Sequence, residues 1–119
     1  MTKSVAVPSE GLPAPSNTQI VVIGDMNLKL NEDELIEFKR RTLELIAATR
    51  RDDCPIKYSC VLDIEDPCHV VFVETWSSRA ALDEHLQRDA FKAWFSWVEP
   101  KIDGPLTIKI APEAEFDLF

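Results

Sequence analysis

The chain has 119 residues, a net charge of −8 and a hydrophobic content of 45%, which is the composition of one soluble globular domain. The acidic balance argues against nucleic acid and anionic membrane surfaces as partners, because both recruit clusters of Lys and Arg. No apolar segment approaches the length of a membrane span or of a signal-peptide core, so we expect no membrane partner.

The cysteines indicate the compartment. Three cysteines cannot all pair within one chain. Cys54 and Cys68 fall near opposite ends of a predicted hairpin, too far apart for a disulfide, and Cys60 falls within a strand. Free thiols in a reducing cytoplasm are the simplest account, so we expect a cytoplasmic protein. No spacing of Cys and His suits zinc, and the sequence predicts no metal site.

The two ends of the chain differ from its middle. Residues 1–18 contain three prolines among small polar residues, which predicts a flexible N-terminal arm and not a domain. Residues 19–111 carry the strand and helix patterns of a folded domain. Residues 112–119 form an acidic and apolar C-terminal tail.

The first strand and the first helix are predicted from residue 19 to about residue 50. An apolar run that ends in alternation predicts a strand over residues 19–30. Asn31 then begins a helix, and Glu34 is the reciprocal partner of a capping box. The helix carries a buried stripe at helical spacing: Leu35, Phe38, Thr42, Leu45, Ile46 and Thr49.

A hairpin follows. The second strand opens at Pro55 and places alternate residues on one face: Ile56, Tyr58, Cys60, Leu62 and Ile64. The third strand covers residues 69–76, and its apolar run over residues 70–73 lacks alternation, so both faces of this strand should be covered. Glu74 and Trp76 end the strand on the same face.

A second helical region is predicted over residues 78–100, followed by a last strand over residues 106–110. The region should break near Arg88 and Asp89, because its apolar stripe changes phase there. The order is that of an α+β ferredoxin-like fold, the split βαβ arrangement, with a four-stranded antiparallel sheet and helices on one face. The other face would be open and apolar, so we expect a second copy to cover it in a homodimer.

The residues of the third strand and second helical region carry a family resemblance. With Tyr58, residues 72–78, residues 81–86 and Phe91 in this order and spacing, the chain resembles the antibiotic biosynthesis monooxygenase family over about residues 19–111. The resemblance implies a dimeric α/β barrel. It also implies cofactor-independent oxidation by dioxygen of a small quinol-like or polycyclic aromatic substrate. With only three glycines, the chain has no glycine-rich dinucleotide-binding turn, and we expect no cofactor.

Four residues are candidate catalytic groups. His85 lies beside the buried face of its helix and could take a phenolic proton near neutral pH. Trp76 could stack on an aromatic ring and donate through its N–H, and Tyr58 could donate its phenol to an oxyanion. Glu74 would orient these groups through a hydrogen bond to Tyr58, to His85 or to the dimer partner. Each of the four could equally be a packed core residue.

Four further residues are candidate walls of a substrate pocket. Some oxygenases of the family place a polar residue on the first strand, and Asn27 or Asp25 could correspond to it. Phe72, Phe91 and Phe95 would form apolar walls. Haem-degrading relatives use a histidine on the second helical region as the iron ligand, and that position corresponds to Phe95, so the resemblance argues against haem.

Two other functions remain open. A non-catalytic dimeric ligand-binding or adaptor domain would have a pocket too small or too closed for an aromatic molecule. An acid–base isomerase of a small phosphorylated metabolite would need cations at the cavity mouth, for which Arg79 and Arg88 are the candidates. The sequence also departs from the family at residues 53–55, Asp-Cys-Pro, where many relatives carry glycine; we expect this change to alter a turn.

Overall fold

The computed structural model describes residues 18–112. The predicted flexible arm, apart from residue 18, and the tail after residue 112 lie outside the described residues. The elements are β1 (Ile20–Asn27), α1 (Glu32–Asp52), β2 (Lys57–Leu62), β3 (His69–Trp76), α2 (Arg79–Gln87), α3 (Asp89–Val98), a 3-10 turn (Glu99–Lys101) and β4 (Thr107–Pro112).

The four strands form one antiparallel sheet in the order β2-β3-β1-β4. The helices cover one face, which confirms the α+β ferredoxin-like fold. Strand alternation brings Val22, Glu74 and Tyr58 side by side on this covered face, since Glu74 is the register partner of both other residues. The core therefore lies between the sheet and the helices.

The first helix begins where the sequence predicted. Oδ1 of Asn31 accepts a hydrogen bond from the backbone N–H of Glu34 at 2.8 Å, and Oε1 of Glu34 accepts from the N–H of Asn31 at 3.0 Å. This capping box satisfies two backbone donors that the first turn leaves open. The buried stripe of α1 packs against α3, where Nε1 of Trp94 donates to Oγ1 of Thr42 at 3.0 Å.

The second helical region is two helices, as its change of phase predicted. Arg88 has an extended backbone, with φ −68° and ψ 144°, and separates α2 from α3. Ser78 caps α2 by accepting a hydrogen bond from the N–H of Ala81 at 3.1 Å. Because the chain changes direction at Arg88, Phe91 and Phe95 of α3 line the same cavity as His85 of α2.

One expectation for the sheet needs correction. Ile56 and Ile64 lie outside β2 and are 55% and 99% exposed, because the strand begins after Pro55 and the chain turns soon after Leu62. Within this chain the helices cover one face of the third strand, and cover of its other face by a second copy stays a prediction. Val71 and Val73, which face away from the helices, are half-buried.

Among residues 18–112, no helix combines the length and the apolar character that a membrane span requires.

Candidate active site

A cavity of about 60 Å³ lies between the sheet and the pair α2 and α3. One end is made of fully buried side chains, and the other end is made of half-buried apolar ones, so the cavity runs from a closed inner end to an apolar mouth. The inner end carries the polar groups Tyr58, Glu74 and His85. The mouth is formed by Leu86, Phe91, Phe95, Leu106 and Ile108.

His85 and Tyr58 meet at the inner end. Helix α2 places His85 one turn after the buried Leu82, and the imidazole is 1% exposed. Its Nε2 lies 3.3 Å from the hydroxyl of Tyr58, and the two rings are 5.2 Å apart in an edge-on arrangement. Both groups line the cavity, so Nε2 and the phenol point to the same space.

The other ring nitrogen of His85 is held by Asp53, a residue that the sequence analysis treated as part of a turn. Oδ2 of Asp53 lies 3.0 Å from Nδ1 of His85, and Oδ1 accepts from Nε of Arg88 at 2.7 Å. The Asp53 side chain is 5% exposed. One signal could have identified it: an aspartate at the C-terminal end of a helix is electrostatically unfavourable, because the helix dipole favours cations there.

Glu74 and Trp76 form a second buried pair. Nε1 of Trp76 donates to Oε1 of Glu74 at 2.7 Å, so the partner of Glu74 is neither of the two residues that we expected within the chain. Trp76 does not line the cavity. It lies behind the inner end and packs on the imidazole of His85, with ring centroids 4.9 Å apart. Its position therefore suits anchoring of Glu74 better than direct stacking on a substrate.

Burial shifts the protonation of all three inner groups. Burial raises the pKa of Glu74 to about 7, and the hydrogen bond from Trp76 opposes this shift. Burial, assisted by the charge of Glu74, holds the pKa of Tyr58 well above its usual value. Burial also lowers the pKa of His85, although the carboxylate of Asp53 opposes this effect. At neutral pH the inner end thus presents a neutral imidazole and a protonated phenol.

Asn27 is separated from this group. It ends β1 on the face opposite to the helices, is exposed, and pairs in register with His69. Asp25 shares that face and binds Nε2 of His69 at 2.8 Å. Neither residue reaches the cavity, because a strand directs alternate side chains to opposite faces. This position corrects the expectation that a polar residue of β1 contacts the substrate.

The predicted aromatic walls do line the cavity. Phe72 forms part of its floor on β3, and Phe91 and Phe95 stack at its mouth with ring centroids 5.9 Å apart and an interplanar angle of 8°. Among residues 18–112, no three His, Cys, Asp or Glu side chains are grouped as ligands for a metal. The three cysteines are unpaired, and burial raises the pKa of Cys60 to about 12.

The fold and the cavity define an α+β domain in which sheet and helices enclose an apolar chamber with a polar inner end. Residues 20–97 match the family model described as antibiotic biosynthesis monooxygenase. The chain therefore belongs to the antibiotic biosynthesis monooxygenase family.

The chain is also similar to individual proteins. An uncharacterised protein of Synechocystis is 32% identical over 112 residues, which cover 87% of this chain and 75% of that protein. A conserved protein of Methanosarcina mazei is 25% identical with a TM-score of 0.72, covering 83% of this chain and 96% of its own. A solved structure described as an antibiotic biosynthesis monooxygenase is 25% identical with a TM-score of 0.71, covering 81% and 99%.

Proposed function

We propose that this protein is a homodimeric, cofactor-independent monooxygenase that oxidises a small phenol or quinol with dioxygen. One observation carries the proposal: Nε2 of a buried His85 lies 3.3 Å from the hydroxyl of Tyr58 at the closed end of an apolar cavity. Membership of the monooxygenase family supports the reaction type. A buried neutral imidazole beside a phenol donor supports proton removal from an aromatic hydroxyl.

The chemistry needs no reductant besides the substrate. His85 takes the hydroxyl proton, and the resulting phenolate gives an electron to dioxygen far more readily than the neutral phenol does. Joining of the two radicals forms a bond between oxygen and a ring carbon that carries hydrogen, which lies opposite the hydroxyl in a phenol and next to the hydroxyl-bearing carbon in a quinol. Loss of the hydrogen on that carbon and cleavage of the O–O bond then give water and a quinone, which keeps one hydroxyl group when the substrate is a quinol. The substrate supplies all four electrons, and the proton held by His85 returns to the oxygen that leaves as water.

The other inner groups stabilise charge in this scheme. Tyr58 stays protonated and can donate to the phenolate oxygen as negative charge develops. Glu74, with a pKa of about 7, is half protonated near neutral pH and can donate a hydrogen bond or accept one at the same end. Trp76 holds the carboxyl of Glu74 in place. The apolar walls exclude water from the reactive oxygen species.

The size of the cavity restricts the substrate. A cavity of about 60 Å³ is smaller than the apolar cavity of about 150 Å³ that binds benzene in an engineered core. The cavity is therefore too small for a single aromatic ring unless side chains at its mouth, such as the half-buried Phe91 and Phe95, move. Within the two classes expected from the resemblance, this favours a quinol-like substrate over a polycyclic one.

The test is oxygen uptake with single-ring phenols and quinols of graded size, using naphthols as the larger comparison. Replacement of a general base costs about 10²–10⁴-fold in rate, so His85→Gln should abolish most of the uptake. His69→Gln is the matched control, because His69 is the other histidine and lies outside the cavity. Equal rates in the His85 variant and the wild type would refute the base. Absence of uptake with every substrate would refute the activity.

The open face of the sheet supports the homodimer. Val21, Ile23, Val71 and Val73 lie on this face and remain half-exposed, and Val61 on the neighbouring strand is 49% exposed. An apolar sheet face of this kind associates in water. A second copy that packs its own sheet against it would bury the same residues on both sides by two-fold symmetry.

The small cavity also favours a second candidate, a non-catalytic dimeric ligand-binding or adaptor domain. This candidate predicts binding of a small apolar molecule with no oxygen consumption. The isomerase of a phosphorylated metabolite gains no comparable support. Among residues 18–112, no Lys or Arg lines the cavity, and Arg88 is bound to Asp53 outside it.

A further inference from the structure

His85 forms part of the wall between two spaces. The inner cavity lies on its Nε2 side, where Tyr58 is found. A second, more polar cleft of about 230 Å³ lies on its Nδ1 side and is lined by Asp53 and Arg88, together with Thr49, Asp52 and Asp89. The imidazole is thus contacted by a phenol from one side and by a carboxylate from the other.

We propose that Asp53 is a positioning residue for His85 and that Arg88 holds Asp53 in place for this role. Asp53 fixes the imidazole with its proton on Nδ1, so that Nε2 presents a lone pair to the inner cavity. When His85 takes a proton from a substrate, Asp53 stabilises the imidazolium across the same hydrogen bond. The proposal rests on the proposed role of His85 as base.

The geometry favours one tautomer. A carboxylate is an acceptor only, so the 3.0 Å hydrogen bond between Oδ2 of Asp53 and Nδ1 of His85 places the proton on the imidazole. Tyr58 keeps its proton and can then donate to Nε2 over 3.3 Å. The two contacts are mutually consistent in this tautomer alone, since the opposite tautomer would set the lone pair of Nδ1 against the carboxylate.

The position of Asp53 in the fold indicates that its carboxylate does not serve to stabilise the end of α1. Asp53 is the C-cap of α1, where the helix dipole disfavours a negative charge. The next residue, Cys54, has a φ of 48°, a backbone conformation that residues other than glycine rarely adopt. The Asp53 carboxylate lies at the break between α2 and α3, where it contacts both His85 and Arg88.

Every element around His85 contributes to its protonation. Asp53 from the end of α1 stabilises the charged imidazole, whereas burial and the charge of Arg88 disfavour it. Tyr58 from β2 contacts Nε2 without charge, and Glu74 from β3 titrates near pH 7 in the same cavity. Removal of the Asp53 carboxylate therefore leaves burial and Arg88 unopposed, and the pKa of His85 should fall further.

The test uses ¹⁵N NMR of the two histidine rings, with His69→Gln to assign the signals. In the wild type at neutral pH we expect the His85 proton on Nδ1, and a proton found on Nε2 would overturn the proposal without any variant. Asp53→Asn should lower the pKa of His85 and shift the proton towards Nε2, because the asparagine amide can donate to Nδ1. Asp52→Asn is the matched control, since Asp52 lines the same cleft but pairs with Arg51.

Kinetics separate this proposal from the proposed function. Loss of the orienting aspartate in a comparable triad costs about 10⁴-fold in turnover, so Asp53→Asn should lower kcat by at least roughly 100-fold and leave KM nearly unchanged. If no substrate is oxidised by the wild type, the proposed function fails while the NMR result still decides the role of Asp53. If Asp53→Asn changes neither the His85 signals nor kcat, the positioning role is refuted.

Discussion

The indole of Trp76 and the carboxyl of Glu74 form a 2.7 Å hydrogen bond within a core where the indole is fully buried. This hydrogen bond opposes the effect of burial, which raises the pKa of Glu74 to about 7. The hydrogen bond from the indole N–H thus helps to keep the pKa of Glu74 near neutral, where the carboxyl can gain or lose its proton. Two expectations about Glu74 follow from that balance.

The ionisation of Glu74 should make the free energy of unfolding depend on pH. Because the pKa of Glu74 is higher in the folded than in the unfolded protein, its contribution is fully present below about pH 4.5 and is lost as pH rises through about 7. The loss amounts to about 3 kcal/mol. Glu74→Gln should remove this slope in urea unfolding measured between pH 5 and 8. The exposed Glu84→Gln is the control, and a slope that persists in the Glu74 variant contradicts the assignment.

The second concerns Trp76. Trp76→Phe deletes the donor and leaves Glu74 buried without its partner, so we expect a loss of about 2–4 kcal/mol at pH 8. In a Glu74→Gln background the same substitution should cost less, because no carboxylate is left uncompensated. A double-mutant cycle by urea unfolding measures the difference. Equal costs in both backgrounds would show that the indole acts by packing alone.

His85 should give the opposite dependence on pH. Its pKa is lowered by burial, so its neutral form contributes fully above about pH 6.5, and that contribution is lost as pH falls through the folded value. His85→Gln should flatten the acid limb of the stability profile and leave the limb above pH 7 intact. Thermal unfolding between pH 4.5 and 8 tests this, and His69→Gln serves as the comparison.

Tyr58 should matter more for the reaction than for the fold. Tyr58→Phe removes a hydroxyl that is 3.3 Å from Nε2 of His85 and also hydrogen-bonds the side chain of Thr49, which costs about 1 kcal/mol of stability. Loss of one donor to a developing oxyanion costs about 10²–10³-fold in kcat. Urea unfolding and oxygen uptake on the same preparation separate the two effects. A rate that falls only in proportion to the folded fraction would contradict the catalytic role.

The homodimer should depend on the open face of the sheet. Val73 lies at the centre of that face, opposite Ile23 on β1 and Ser59 on β2. Val73→Lys should place a charge in the interface and give monomers in sedimentation velocity at micromolar concentration. Ile36→Lys, on the exposed side of α1, is the control and should leave the mass unchanged. A wild type that sediments as a monomer would refute the dimer.

The fold was predictable because local signals agreed with one another. The capping box at Asn31, the phase change at Arg88 and the turn before β3 each have a local physical cause, and together they fixed the order of the elements. Ile56 and Ile64 were misplaced because alternation alone does not reveal where pairing with β3 stops. Asn27 was wrongly placed in the cavity because the sequence does not show which face of β1 its side chain occupies.

The site was predictable only in part. The pattern of β3 and α2 identified Glu74, Trp76 and His85, since each lies on a buried face within one short segment. Asp53 was missed because its partner His85 is 32 residues away, and that contact depends on how α1 ends and how α2 gives way to α3. That Glu74 binds Trp76, and not Tyr58 or His85, could not be inferred either, because the sequence does not show which of these side chains lies within hydrogen-bond distance of the carboxyl.

The most direct test of the central claim is the reaction of a single-ring phenol under ¹⁸O-labelled dioxygen, with the product reduced at once and analysed by mass spectrometry. We expect the wild-type enzyme to place one labelled oxygen atom in the quinone and the second in water, and His85→Gln to yield almost no labelled product. A product that carries no label, or labelling that is as fast in the His85 variant as in the wild type, would contradict the account.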